Sequence, residues 1–432
     1  MTKFVVTKSS PPVLVSPSEP TPAVTIRPTS TDKSRLGLSF TALLVFERHV
    51  HEPADTIRRA LSRALVLYYP LAGRLAVAGD GSGDVLFSCT AEGVLFVAAA
   101  AASCTLEDVG FLRAPLVIPP ADLAGRYGGE QCGMSDPLAM VQVTEFACGG
   151  FVVGVTWNHG VADTCGVAQF LRAVGELASG APSPSVVPVR YDPSMPDIPL
   201  QLDAGVLRAG GGAVLKHVDF AYCDITIPWS FVNRVKAEFV SQHGGGRRRC
   251  SVFDVVTAAI WQCRTRAIRG RCSGGDAPVA LFFAVNVRKL VGARDGYYGN
   301  CITRQVVVAT ADAVASGGIV DVVKLINDAK ERVPEELLRS NQDADGGGHL
   351  VGAHRRLYVA SWGGLGLDMV DFGGGGPARV IPNMEVTVMP SCFPCLPCSR
   401  MDGDGDGGVN VVAWCVTDEH VDVFRAELAR LR

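Results

Sequence analysis

No apolar run in this 432-residue chain is long enough to cross a bilayer. The longest, Val94 to Ala102, falls far short of the roughly 18 residues a spanning helix needs. An excess of one charge is lacking too. The chain carries 40 basic against 43 acidic residues, a formal net charge of −3. That balance excludes a protein whose main task is gripping nucleic acid or an anionic membrane by bulk charge. There is no Gly-x-Ser-x-Gly elbow and no Gly-x-x-x-x-Gly-Lys-Ser/Thr loop, so neither a hydrolase serine nor a nucleotide cradle is expected. The opening stretch, MTKFVVTKSSPPVLV, has no apolar core ahead of Pro11-Pro12, so no secretory leader is expected.

The 14 cysteines form no disulfide pattern. They are scattered singly, apart from Cys392, Cys395 and Cys398, and read as buried thiols. That late cluster lacks the next ligand of an iron–sulfur run, because position 402 is Asp. Asp402-x-Asp404-x-Asp406-Gly407 opens like a calcium loop, but its twelfth position is Ala413 instead of Glu. No metal is expected.

What is present is core-forming material. Hydrophobic residues make up 48% and charged ones 19%, enough for a large folded core. A soluble, cytoplasmic protein is the expectation. Leu38–Phe46 has strand length and composition. Ile57, Leu61, Ala64, Leu65 and Tyr68 recur at helical spacing, with Asp55 placed to cap the start. Strands are expected at 85–89, 94–98, 140–143 and 151–157, and Phe4-Val5-Val6 reads as an edge strand. A helix over 163–178 carries Val167, Phe170, Leu171, Val174 and Leu177 on one face. The second half predicts helices over 251–267, 319–333 and 421–431 and strands over 279–287 and 302–308. Strands and helices alternate across two comparable halves, which makes the chain α/β. The Pro-rich stretch 179–200 is the clearest linker, and the glycine triplets 210–212 and 244–246 read as surface loops.

Three segments carry candidate chemistry. His159-Gly160-Val161-Ala162-Asp163 follows the apolar strand 151–157 and precedes a helix. A strand-end turn is where a scaffold presents a reactive side chain. Imidazole, with an ordinary pKa near 6.5, accepts a proton near neutral pH. The same spacing in His51-Glu52-Pro53-Ala54-Asp55 is a decoy, since Asp55 there has a capping task. Asp371-Phe372-Gly373-Gly374-Gly375-Gly376 follows Leu365–Val370, so Asp371 reads as a strand-end carboxylate beside a turn through which backbone passes closely. Arg288 ends the apolar run 279–287, where a guanidinium calls for a carboxylate partner.

Together these residues resemble the plant BAHD acyl-CoA-dependent acyltransferases. His159–Asp163 and Asp371-Phe372-Gly373 stand in the family's order. Tyr68–Leu75 (YYPLAGRL), Cys89 with Glu92-Gly93-Val94, Ser251–Asp254 leading to Trp261, Gly296–Asn300 (GYYGN) and Ser361-Trp362-Gly363 match its other blocks. One position departs: the family's Asp-Phe-Gly-Trp-Gly has Gly374 where Trp stands, which would open room for a bulkier group.

The resemblance implies two similar-sized mixed-sheet domains with a channel between them. One would span 1–185 plus about 362–390, the other 216–361 plus about 391–432, joined by a crossover at 186–215. It implies His159 as general base, with Asp163 orienting its loop through an ion pair and Asp371 paired to Arg288. His159, Asp163 and Asp371 form the candidate catalytic set, supported by Arg288, Gly160 and Gly373. Arg264 and Arg266 are candidates for the CoA phosphates. No permanent cofactor is implied; acyl-CoA is the donor co-substrate. The acceptor is a small-molecule amine or alcohol, and the chain is expected to act as a monomer. The wording around 286–301 is similar to grass members that benzoylate or hydroxycinnamoylate arylamines such as tryptamine. Ester formation on an alcohol and a non-catalytic ligand-binding relative are the other readings.

Overall fold

The computed structural model describes residues 4–114, 116–129, 131–196, 198, 218–243, 249–269, 277–338, 351–383, 389–394 and 407–432. The glycine triplets 210–212 and 244–246, Cys395, Cys398 and Asp402, Asp404 and Asp406 lie outside them. The chain divides into two compact units. Unit 1 comprises Met1–Ile198, Val287–Ile302 and Gly364–Met384; unit 2 comprises Pro199–Asn286, Thr303–Gly363 and Glu385–Arg432. The segment 287–302, expected in the second domain, belongs to unit 1. Residues 186–198, expected in the crossover, do too. The reason is backbone pairing: Val189 N–H donates to Gly296 O at 2.9 Å and Tyr298 N–H to Val189 O at 3.0 Å.

Unit 1 is built on a mixed sheet. From one edge its path runs Thr7–Lys8, Val94–Ala101, Ala139–Phe146, Phe151–Asn158, Ser39–Phe46 and Arg379–Asn383, with Val13–Val15 also paired to Val94–Ala101. The Val94–Ala101 and Ala139–Phe146 strands are parallel; the others pair antiparallel. The Phe151–Asn158 strand is buried at all eight positions, which explains a continuous apolar run with no alternation. The edge strand expected at Phe4–Val6 forms just after it, at Thr7–Lys8. Two helices, Pro53–Leu67 and Thr164–Ala178, pack against each other in unit 1. Asp55 does not cap the first of them. The N-cap is Glu52, in the left-handed region at φ 44°, and Asp55 pairs with exposed Arg58 at 2.9 Å.

Unit 2 holds a six-stranded sheet in the order Tyr222–Pro228, Gly408–Trp414, Ser391–Pro394, Arg356–Val359, Pro278–Asn286 and Ile302–Thr310. Its core gathers Val255, Ile260, Trp261, Phe283, Ile326 and Phe424 around the Val252–Ala267 helix. Ser251 and Asp254 close a reciprocal capping box at that helix start. Among the described residues no helix is long and apolar enough to cross a membrane, and no group of three or more His, Cys, Asp or Glu is arranged to hold a metal ion.

Candidate active site

His159 stands one residue beyond the Phe151–Asn158 strand. The ladder to Ser39–Phe46 continues past the strand end, because His159 N–H donates to Leu38 O at 2.7 Å. Its carbonyl accepts from Asn300 Nδ2 at 2.7 Å. The turn then closes on itself. Asn158 Oδ1 accepts Gly160 N–H at 2.8 Å, and Trp157 Nε1 donates to Ala162 O at 3.0 Å. Gly160 is needed for room: a Cβ there would meet Leu36 Cδ2 at 2.8 Å and Asn158 Oδ1 at 3.0 Å.

Asp163 ends the turn as N-cap of Thr164–Ala178. Its Oδ1 accepts Gly166 N–H at 3.0 Å and Arg288 Nη2 at 2.8 Å, and its Oδ2 accepts Cys301 N–H at 3.0 Å. Burial alone would raise this carboxyl. The Arg288 guanidinium and the N–H donors outweigh it and hold the pKa below the usual carboxylate value. Arg288 also donates to Tyr297 O at 3.1 Å and Gly299 O at 2.7 Å, so it ties the 297–301 segment to the turn.

His159 is only 6% exposed. The Phe40 ring meets it edge-on with centroids 4.7 Å apart. Burial, then the positive charge of Arg35, push its pKa down to about 4, against the opposing pull of Asp163, its own carbonyl and Asn300. At neutral pH the ring is uncharged. Nδ1 is sealed from solvent.

The structure brings His159, Gly160, Asp163 and Arg288 together and leaves Asp371 out of that cluster. Arg288 pairs with Asp163, not with Asp371. The Asp371 Oδ1 is occupied locally, accepting Gly373 N–H at 2.8 Å and Gly375 N–H at 2.7 Å in an exposed loop. Gly373 and Gly375 sit at φ 103° and 100°, where a side chain is strained. The segment before Asp371 is a short 3₁₀ turn, Leu367–Met369, and not a strand. Phe372 is the buried member of the motif, packing on Phe46 at 5.2 Å between ring centroids. Gly374 opens no space at its Cβ position, which Val50 Cγ2 and Arg48 O would contact at 3.1 and 3.3 Å.

Arg264 and Arg266, the candidates for the CoA phosphates, have partners within unit 2. Both lie in unit 2, on a helix whose inner face is the core. Arg264 is 2% exposed and donates to Cys415 O and His354 O, each at 2.7 Å. Arg266 donates to Ala315 O at 2.7 Å and pairs with Glu427 at 3.3 Å. These guanidiniums brace carbonyls and a carboxylate.

Comparison with known proteins agrees with this arrangement. The model of the Transferase family matches residues 4–431. Acyl transferase 15 of Oryza sativa subsp. japonica is 39% identical, with 99% of each chain covered. The chain belongs to the BAHD family of acyl-CoA acyltransferases. Another relative, the myricetin 3-O-glucosyl 1,2-rhamnoside 6'-O-caffeoyltransferase AT1 of Crocosmia x crocosmiiflora, is 36% identical over 98% of this chain and 99% of its own. In fold, vinorine synthase superposes with a TM-score of 0.69 at 20% identity, covering 99% of this chain and 98% of that one. As a BAHD member the chain is an acyltransferase with acyl-CoA as co-substrate.

Proposed function

We propose that this BAHD enzyme moves an aromatic acyl group, hydroxycinnamoyl in the first place, from its CoA thioester to a hydroxyl of a plant specialised metabolite. The observation that carries the chemistry is His159, an uncharged imidazole on a strand-end turn with Nδ1 sealed. Nε2 takes the proton of the acceptor hydroxyl as its oxygen attacks the thioester carbonyl. The tetrahedral intermediate collapses with loss of CoA thiolate, which receives the proton back from His159. No covalent enzyme intermediate is required, in keeping with a sequence that has no nucleophile elbow.

Asp163 and Arg288 act on the turn and not on the substrate. Asp371 is a structural residue of its glycine loop. The acyl and acceptor classes are supported by the caffeoyl group and the oxygen acceptor in the Crocosmia enzyme's name. An arylamine such as tryptamine is the contrasting acceptor.

The test is a panel of acetyl-, malonyl-, benzoyl-, coumaroyl- and feruloyl-CoA against alcohols, glycosides and tryptamine, read by product mass. Esters of the aromatic donors are expected, and His159→Ala abolishes them while the circular dichroism spectrum persists. Full activity in His159→Ala overturns the mechanism. An amide as main product overturns the acceptor class, and ligand-induced thermal shifts without turnover on any donor overturn catalysis altogether.

A further inference from the structure

Asp163 and Arg288 secure the far end of the His159 turn. A second buried ion pair lies at its near end, and the mechanism above does not use it. Thr29-x-x-Asp32 forms a capping box at the short helix Ser30–Lys33. Asp32 is fully buried, so a capping role alone leaves its charge unexplained. Its Oδ2 accepts Arg190 Nη2 at 2.9 Å, and its Oδ1 accepts Asn300 N–H at 3.2 Å and Asn300 Nδ2 at 3.0 Å. Arg190, stacked over the Phe87 ring, and Asn300 are buried as well.

Both partners of Asp32 turn their remaining capacity on two successive carbonyls of the turn. Asn300 Nδ2 donates to His159 O at 2.7 Å and approaches Gly160 O at 3.2 Å; Arg190 Nη2 approaches Gly160 O at 3.4 Å. Thr31 Oγ1 fixes Asn300 from behind by donating to its carbonyl at 3.0 Å. We infer that Asp32, through Arg190 and Asn300, is a positioning group for the catalytic turn: it holds the two donors that clamp the His159 and Gly160 carbonyls and so fixes the direction of the imidazole. Asp32 touches neither the imidazole nor the reacting atoms.

The charged groups acting on the imidazole are Arg35, which disfavours its proton, and Asp163, which favours it. Neither belongs to the Asp32 pair. Release of the clamp therefore acts by moving the turn and admitting water.

This inference rests on His159 being the base, and the experiment separates the two. Asp32→Asn/Arg190→Gln removes both charges while keeping hydrogen-bonding groups, a replacement buried pairs tolerate far better than loss of one partner. Parent, double variant and His159→Ala are compared in kcat, KM for both substrates, and the pH profile of kcat/KM. The double variant is expected to lose about tenfold or more in kcat, with KM changed by no more than about twofold, because the base is misdirected while binding is kept. Its acid limb moves up from about 4 toward the free imidazole value as water reaches the ring. Should the double variant lose its near-ultraviolet dichroism, Asn300→Ala, which leaves the ion pair whole, carries the same readouts. A folded variant with parental kcat and acid limb overturns the positioning role. If instead His159→Ala is active, the base assignment itself has failed.

Discussion

The sealed imidazole makes a quantitative demand on stability. In the unfolded chain His159 has an ordinary pKa near 6.5; in the folded one it is about 4. Between those values the unfolded chain holds a proton that the folded chain has lost. Stability contributed by the neutral ring is therefore fully present above pH 6.5 and lost as pH falls through the folded value. At about 1.4 kcal/mol per pH unit, the gap amounts to about 3 kcal/mol. The perturbation is His159→Gln, which removes this titration and leaves every other carboxylate and histidine in place.

Urea unfolding of parent and variant, followed by circular dichroism from pH 7 to pH 4, gives two curves whose difference isolates residue 159. The parent is expected to lose about 3 kcal/mol more than the variant over that range. A difference that changes by less than about 1 kcal/mol refutes the reasoning, because the ring is then solvated or charged in the fold. The same shift appears in catalysis. At pH 5.5 a base of pKa about 4 is almost wholly neutral, whereas one of 6.5 is about nine-tenths protonated, so kcat/KM should hold at pH 5.5.

Two further outcomes follow from the same geometry. Asp163→Ala strands the largely buried Arg288 charge and removes a helix cap, so urea unfolding should show a loss of about 3–5 kcal/mol, and Asp163→Ala/Arg288→Met should lose less than the sum of its parts. Arg264→Met removes a buried donor from the Cys415 and His354 carbonyls, so the melting temperature should fall while KM for acyl-CoA stays within about twofold of the parent; a KM rise without loss of stability would restore Arg264 to the phosphate site.

The periodic elements were the readable part of the sequence. Helical spacing from Val167 to Leu177 matches the Thr164–Ala178 helix, and the apolar run 151–157 matches its strand to within one residue. Helix Trp229–His243 escaped because only four of its residues are buried, which leaves a thin apolar stripe. Strand Arg379–Asn383 escaped because it contains Pro382, a residue typical of a sheet edge. Within the site, His159 and Asp163 were visible because they lie four residues apart. The need of Arg288 for a carboxylate was visible too, but the identity of that carboxylate was not. Asp163 lies 125 positions away from Arg288, and nothing local revealed that Gly373 and Gly375 had already taken the Asp371 oxygen. Asp32 had a signal in Thr29-x-x-Asp32, which marks a capped helix and says nothing of partners at residues 190 and 300.

The Thr164–Ala178 helix also sets a timetable. A side chain on Gly166 would collide with the Tyr298 carbonyl oxygen, and one on Gly175 with that of Asp371. Nine residues are about two and a half turns, so these approaches fall on opposite sides of the helix. The helix that Asp163 begins is thus gripped by two stretches of backbone that leave the ribosome long after it does. The strand Arg379–Asn383, which completes the unit 1 sheet beside Ser39–Phe46, emerges later still. A nascent chain interrupted before residue 298 carries His159 and Asp163 but lacks the Asn300 and Cys301 donors that hold their turn. Competence for acyl transfer should therefore arise late in synthesis, when the returning segments dock.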